Sequence, residues 1–330
     1  MPCGQARQTR RRRELHSPHK CATRLRPSKL HQAREGCKMD LVNFARRSRF
    51  IRSVFSLPLY GRNRWMGYRQ APAKAVLDRI EGLVASDVRL RVEEFDGEFI
   101  LGPRSHILRR LLSEGFYEPE LVQLFLSHLT PDRDVVDVGA NVGFFSVLAA
   151  KRLTTGRVLA AEPTTAAFSR LSQNVTINDV ETKVILYNGL VSNEASLATL
   201  DIVPGREEYS SMGGIVHPSV AGQAVQTETV QARPLDSLVA ENGLRPAVIK
   251  VDVEGAEGMV FEGAQQTLRD YRPVVLSEFS RPLLARNGSS PEAIIALFDR
   301  CGYDVHNPFD RSANAGAIDF DEIIAIPRPA

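Results

Sequence analysis

From residue 134 onward the chain alternates short apolar runs with amphipathic stretches. "DVVDVG" (134–139) predicts a strand stopped by glycine, with a helix over 143–152 behind it. "RVLAAEP" (157–163) predicts a second strand and is followed by a helix over 164–178. "KVILYNGLVS" (183–192) reads as a third strand, and "PAVIKVDVEG" (246–255) as a fourth with a helix over 255–268. "RPVVLSEFS" (272–280) is a fifth, with a helix over 291–301, and "YDVHNP" and "EIIAIP" supply two closing strands. Strands and helices in this alternation imply right-handed crossovers and a doubly wound, mostly parallel α/β sheet.

Two segments depart from that rhythm. Upstream, "VRLRVEEFDGEFILGP" alternates over 88–94, turns at Asp96-Gly97 and returns over 98–101, which predicts a hairpin. Helical spacing follows at 105–114 and 118–129, after an earlier helix over 74–84. Between the third and fourth strands, strand-like pieces at 196–202 and 225–232 flank a long loop. A loop of that length (204–222) inside a compact domain is expected to act as a lid.

Charge divides the chain. Residues 1–52 carry 15 Lys/Arg against 3 Asp/Glu, so a net charge of +3 hides a basic head and an acidic body. Such a head suits nucleic acid or an anionic membrane surface. With no apolar spacing before Phe44, residues 1–38 read instead as a disordered or non-native extension, with Met39 an alternative start. Residues 39–72 mix basic and apolar side chains, fitting either peripheral membrane contact or an arm packed on the body. The expected division is thus 1–38, an N-terminal region over 39–130 and a catalytic domain over 131–330. No run of 18 apolar residues predicts a membrane span, and no secretory signal is evident. Cys3, Cys21, Cys37 and Cys301 fit neither a zinc knuckle nor a redox pair, so a cytoplasmic protein with reduced thiols is expected.

In doubly wound sheets, ligands lie beyond the carboxyl ends of the strands at the switch point beside the first strand. There, "DVVDVGANVGFF" has Gly139 and Gly143, but Asn141 and Phe144 where a nicotinamide dinucleotide fingerprint needs glycine. Pyrophosphate is therefore disfavoured, and Asp137 would receive an ammonium instead. S-adenosylmethionine meets both demands, with an adenosine, no phosphate and an amino-acid tail. Glu162, 19 residues past Gly143, is placed to accept the ribose hydroxyls, although a helix-capping role fits it too. Asn188, at the third strand's exit, is read either as facing the adenine or as a turn residue.

The fourth strand carries three charges at alternate positions, Lys250, Asp252 and Glu254. Lys250 is expected to pair with a neighbouring carboxylate, because a buried amine needs a counter-ion. Asp252, at the pocket mouth, is expected to orient or deprotonate an acceptor hydroxyl. Glu254 joins it as a catalytic candidate or a helix cap, and Glu257 and Glu278 rank behind as acids or bases. His217, in the lid, is read either as a further candidate base or as an exposed bystander. Two carboxylates do not specify a metal, and none is assigned.

Three ordered motifs together resemble the FkbM-type methyltransferases: the DVGANxG loop, the EP after the second strand, and KxDxEGxE after the fourth, within roughly 88–328. The resemblance implies a class I S-adenosylmethionine-dependent methyltransferase fold, seven-stranded with an antiparallel last strand. It implies O-methylation of sugars, glycolipid-like signals or polyketides. It also implies cofactor-site roles for Asp137, Gly139, Asn141, Gly143 and Glu162, and a fourth-strand signature of Lys250, Asp252, Glu254, Gly255 and Glu257. The expected partner is a small-molecule or glycan hydroxyl acceptor. A nucleic-acid methyltransferase using the basic head is the alternative, but Asp252-Val-Glu-Gly replaces the Pro-Pro-aromatic exit of amino-methylating enzymes, and its second acid repels phosphate. A cofactor-binding protein without transfer activity is the other alternative.

Overall fold

The computed structural model describes residues 86–206, 210, 222–309 and 320–329. The readings of residues 1–38 and 39–72, of the helix over 74–84, of most of the 204–222 loop and of His217 lie outside them.

The hairpin is formed by β1 (Val88–Val92) and β2 (Gly97–Leu101). Its first strand ends at Val92 rather than 94, because Glu93–Phe95 wind into a 3₁₀ turn that Asp96 closes in a left-handed conformation, φ 47°. Two helices follow, α1 (His106–Glu114) and α2 (Pro119–His128). The sheet proper starts with β3 (Asp134–Val138), α3 (Phe144–Arg152), β4 (Val158–Ala161), α4 (Thr165–Ile177) and β5 (Val184–Tyr187).

The single third strand expected over 183–192 is two. Asn188-Gly189 breaks it, and β6 (Leu190–Ser192) leaves to join a separate three-stranded sheet with β7 (Ser196–Ile202) and β8 (Gln226–Pro234). A Cβ on Gly189 would sit 2.6 Å from the carbonyl oxygen of Gln231, so the two sheets part where only glycine fits. After α5 (Leu235–Glu241) comes β9 (Pro246–Val251). The helix expected over 255–268 is also two, α6 (Glu257–Glu262) and α7 (Gln265–Tyr271), interrupted at Gly263. A Cβ on Gly263 would meet the Ser192 carbonyl oxygen at 2.0 Å, so the interruption lets β6 approach the backbone. The chain closes with β10 (Val274–Ser280), α8 (Arg281–Arg286), α9 (Pro291–Arg300), β11 (Tyr303–His306) and β12 (Phe320–Pro327).

The main sheet has seven strands in the order β11-β12-β10-β9-β3-β4-β5. Pairings from β10 through β5 are parallel, whereas β12 runs antiparallel to both neighbours. Period-two alternation sends Val135 to one core, shared with the hairpin and α1–α4, and Val136 and Val138 to the other, beneath α5–α9. The same alternation turns Asp137 towards the hairpin side, where its register partner on β9 is Lys250.

The hairpin fixes the loop that follows β3. Phe95 and Phe99 pack on Phe144 with centroids 4.6 and 4.3 Å apart, at the very start of α3. Two asparagines one turn apart, Asn174 on α4 and Asn178 at its C-cap, act as a surrogate strand for the outer edge of β2. Asn178 accepts from Glu98 N at 3.1 Å and donates to Glu98 O at 2.6 Å, and Asn174 accepts from Ile100 N at 2.7 Å and donates to Ile100 O at 3.2 Å. Asn174 also donates to Val142 O at 2.8 Å, joining the strand edge to the glycine loop. Asn174→Ala strands several buried backbone groups, each at about 1–3 kcal/mol. The expected result is a loss of about 3 kcal/mol in denaturant unfolding, and a loss below 1 kcal/mol would contradict the bracing role.

Candidate active site

The carboxyl ends of β3, β4 and β9 open into a cavity of about 340 Å³ whose lining includes Asp137, Gly139, Glu162, Lys250, Asp252 and Glu278. Asn141 and Glu254 also line it. Three alternate residues of the loop after β3 are left-handed: Gly139 at φ 77°, Asn141 at 52° and Gly143 at 88°. Asparagine is among the few side chains that tolerate this region. It therefore stands where a glycine would otherwise be expected. The amides of Gly139 and Ala140 both donate to Ala161 O at 2.9 Å, tying the loop to the end of β4.

Glu162 is buried and joins both sides of this junction. One oxygen accepts from Asn141 N at 2.9 Å, and the other from Thr164 N at 2.9 Å and Thr164 Oγ1 at 2.7 Å. Burial, only partly countered by these donors, pushes its carboxyl up to about 7. Glu162 thus holds the residue before α4 without capping the helix's first amides, on a carboxylate that also faces the cavity. Asp137 is buried, and its Oδ2 accepts from Ser146 Oγ at 2.6 Å while Oδ1 has no partner. Burial raises its pKa as well, against the opposing pull of Lys250.

Asn188 does not line the cavity. Its amide donates to Glu162 O at 2.9 Å and Pro163 O at 3.2 Å, holding the exit of β4.

The charges on β9 form one local system. Lys250 Nζ lies 3.1 Å from Asp252 Oδ2 and 5.0 Å from the centre of the Phe145 ring. Burial works against its charge, but Asp252, Asp137 and Glu118 outweigh that and raise its pKa. The counter-ion expected for Lys250 is therefore Asp252 itself. Asp252 lies just past the strand, with 46% of its side chain exposed to the cavity. Glu254 is left-handed at φ 50°, and Gly255 at 99° completes the turn into α6.

Glu257 is corrected by the structure. It is buried and absent from the cavity lining, and its Oε1 accepts from Val253 N at 3.3 Å and Gly255 N at 3.2 Å. It braces the turn from inside, while Glu278 does reach the cavity. Sequence reasoning missed Glu118 at the start of α2, which lines the cavity, and Ser277 of β10 and Glu322 of β12, which line a small niche beside it. Only Glu118 had a signal, an acid preceding proline where a helix begins.

A seven-stranded sheet with one antiparallel strand, glycine loop after the first strand and acid after the second is the class I methyltransferase fold. A family model described as the methyltransferase FkbM domain matches residues 137–305, just over half of the chain, which belongs to that family. The chain is 26% identical over 205 residues to methyltransferase sdnD of Sordaria araneosa, covering 54% of this chain and 77% of that one. It is 26% identical over 163 residues to the hexuronic acid methyltransferase AglP of Haloferax volcanii, covering 48% of this chain and 61% of the relative. A solved FkbM methyltransferase from Methylobacillus flagellatus aligns at 16% identity and TM-score 0.36, over 78% of this chain and 59% of that one. Among the described residues, no helix is long and apolar enough to cross a membrane.

Proposed function

We propose that the chain is an S-adenosylmethionine-dependent O-methyltransferase acting on a hydroxyl of a sugar, glycolipid or secondary metabolite. In this reading residues 131–330 form the catalytic domain and the hairpin and first helices buttress its cofactor loop. One observation carries it: a buried Asp137 oxygen without a partner and the Glu162 carboxylate line the same cavity beside the glycine loop. The donors on S-adenosylmethionine match them, the ammonium for Asp137 and the ribose hydroxyls for Glu162. The hexuronic acid methyltransferase among the relatives supports a sugar as acceptor.

The cofactor supplies an electrophilic methyl group on a sulfonium. The chain must hold the acceptor oxygen in line with it and take the hydroxyl proton. Asp252 is assigned that proton, with Lys250 holding its carboxylate. With the cofactor held by Asp137 and Glu162, its C–S bond would break as the O–C bond forms, the electron pair passing to sulfur and the proton to Asp252.

Calorimetric titration with S-adenosylmethionine, with NAD as control, tests the cofactor. Glu162→Gln, which keeps the size of the side chain, is expected to weaken binding at least tenfold. The pH sign follows from the raised carboxyl. Protonated Glu162 prevails below about 7, so affinity should rise with pH up to about 7 and level off above it, as binding releases a proton. Unchanged affinity in the variant, or tighter binding at pH 5 than at pH 8, would count against the assignment.

A further inference from the structure

Beside Asp252 lies a second, small niche between β9 and β10, which shares Glu118, Lys250, Asp252 and Glu278 with the lining of the cavity and adds Ser277 and Glu322. Its volume is about 10 Å³, close to the smallest space that admits one water-sized group.

Apart from the Lys250 ammonium, the polar groups of the wall are carboxyl and hydroxyl groups, and two of their features are unfavourable unless something occupies the niche. Glu278 and Glu322 stand directly opposite one another on the antiparallel β10–β12 pair, where like charges repel. Ser277 is only 4% exposed, yet its hydroxyl has no hydrogen-bond partner.

Two cations face these carboxylates. Lys250 is committed to Asp252 at 3.1 Å, and Arg110 lies 3.5 Å from Glu118 and 3.6 Å from Glu114. Neither is paired with Glu278 or Glu322 among the ion pairs of the described residues. Desolvation first, then the surrounding acids, push Glu278 up to about 7 and Glu322 up to about 8. Among the described residues no three acidic, histidine or cysteine side chains are arranged to hold a metal ion. Carboxyl groups on several sides and an unpartnered hydroxyl suit a compact cation with several N–H donors.

We propose that this niche receives the ammonium group of an amine-bearing acceptor, so that the methylated hydroxyl belongs to an amino sugar or amino alcohol. The proposal rests on the methyltransferase reading of the cavity. The amine stays protonated, which leaves it no lone pair for the methyl group, and serves only as an anchor.

Three sugars of one ring form, glucosamine, glucose and glucuronate, test the charge of the acceptor. Each is given to the full chain with S-adenosylmethionine, and S-adenosylhomocysteine release and calorimetric binding are followed. Glucosamine is expected to exceed glucose at least tenfold in kcat/KM, with glucuronate weakest. In the double variant Glu278→Gln/Glu322→Gln that preference should fall at least fivefold, a ratio that a general loss of turnover or of cofactor affinity leaves unmoved. An equal or absent response to all three sugars, a preference for glucuronate, or a preference that survives in the double variant overturns the proposal, the last because the niche then holds only water. Failure of the underlying reading is separate, since it shows as absent S-adenosylmethionine binding to a cooperatively folded wild-type protein.

Discussion

Gly139→Ala is expected to abolish S-adenosylmethionine binding and to cost the fold about 3 kcal/mol or more. A Cβ at this position would lie 1.9 Å from the carbonyl oxygen of Asp252 and 2.9 Å from its carbon. Both are backbone atoms, so no side chain can turn aside. The Asp252 amide donates to Val138 O at 3.0 Å, which pins the two chain segments together across the β3–β9 seam. Relieving the clash means breaking that bond and separating the loop from the exit of β9. The left-handed φ of 77° adds about 1–2 kcal/mol for any residue with a Cβ. Gly222→Ala separates the two contributions. Gly222 has a similar φ of 76°, but among the described residues an alanine methyl there would meet nothing within 4 Å, so the conformational cost of about 1 kcal/mol is the expected effect. Urea unfolding and calorimetry on both variants would decide. A Gly139→Ala protein as stable as Gly222→Ala, with cofactor affinity intact, would show that the seam is looser than the backbone contacts indicate.

Positions at strand ends were the most legible part of the chain. Asp137, Glu162 and Asp252 each terminate or follow a short apolar run, and sheet topology brings such ends together whatever the loops do. All three line one cavity. The strand breaks were less visible. Tyr187-Asn-Gly-Leu190 lies within an apolar run that reads as continuous, and the change of sheet depends on a backbone contact with Gln231 far along the chain. Helices α5 and α8, of seven and six residues, are too short for periodicity to register. Asn174 and Asn178 read as polar positions on a helix, although both are buried against the edge of β2. Glu118 and Glu322 escaped for a related reason. Glu118 reaches the cavity from the start of α2 and Glu322 the niche beside it from β12, so only the folded sheet places them beside Lys250. The charges on β9 follow the same logic, because Lys250 and Asp252 are explained jointly, by a 3.1 Å ion pair whose outer member faces the cavity.

Asp252→Asn is expected to lower kcat by about 10²-fold or more, the range in which a positioned acid or base contributes, with S-adenosylmethionine affinity little changed. The amide keeps the size and much of the hydrogen bonding of the carboxylate but cannot take a proton from the acceptor. It also leaves Lys250 without its 3.1 Å counter-ion. Asp137 and Glu118 still hold that ammonium electrostatically, so the fold should survive a change that would be severe for a lone buried pair. Lys250→Met distinguishes the two consequences. If the carboxylate acts on the proton, Lys250→Met should retain the larger part of kcat, because the reacting group is still present although less well held. If the ion pair matters only for structure, the two variants should lose stability together and the activity per folded molecule should hardly move. The pH profile supplies a readout that a structural role would not shift. Loss of the acceptor's base should make the rate of Asp252→Asn climb with hydroxide, about tenfold per pH unit where deprotonation limits, whereas wild-type turnover should be flatter. Near-full turnover with an unchanged profile would remove Asp252 from the chemistry and leave Glu254 and Glu278 as the acids at the cavity mouth to be tested in the same way.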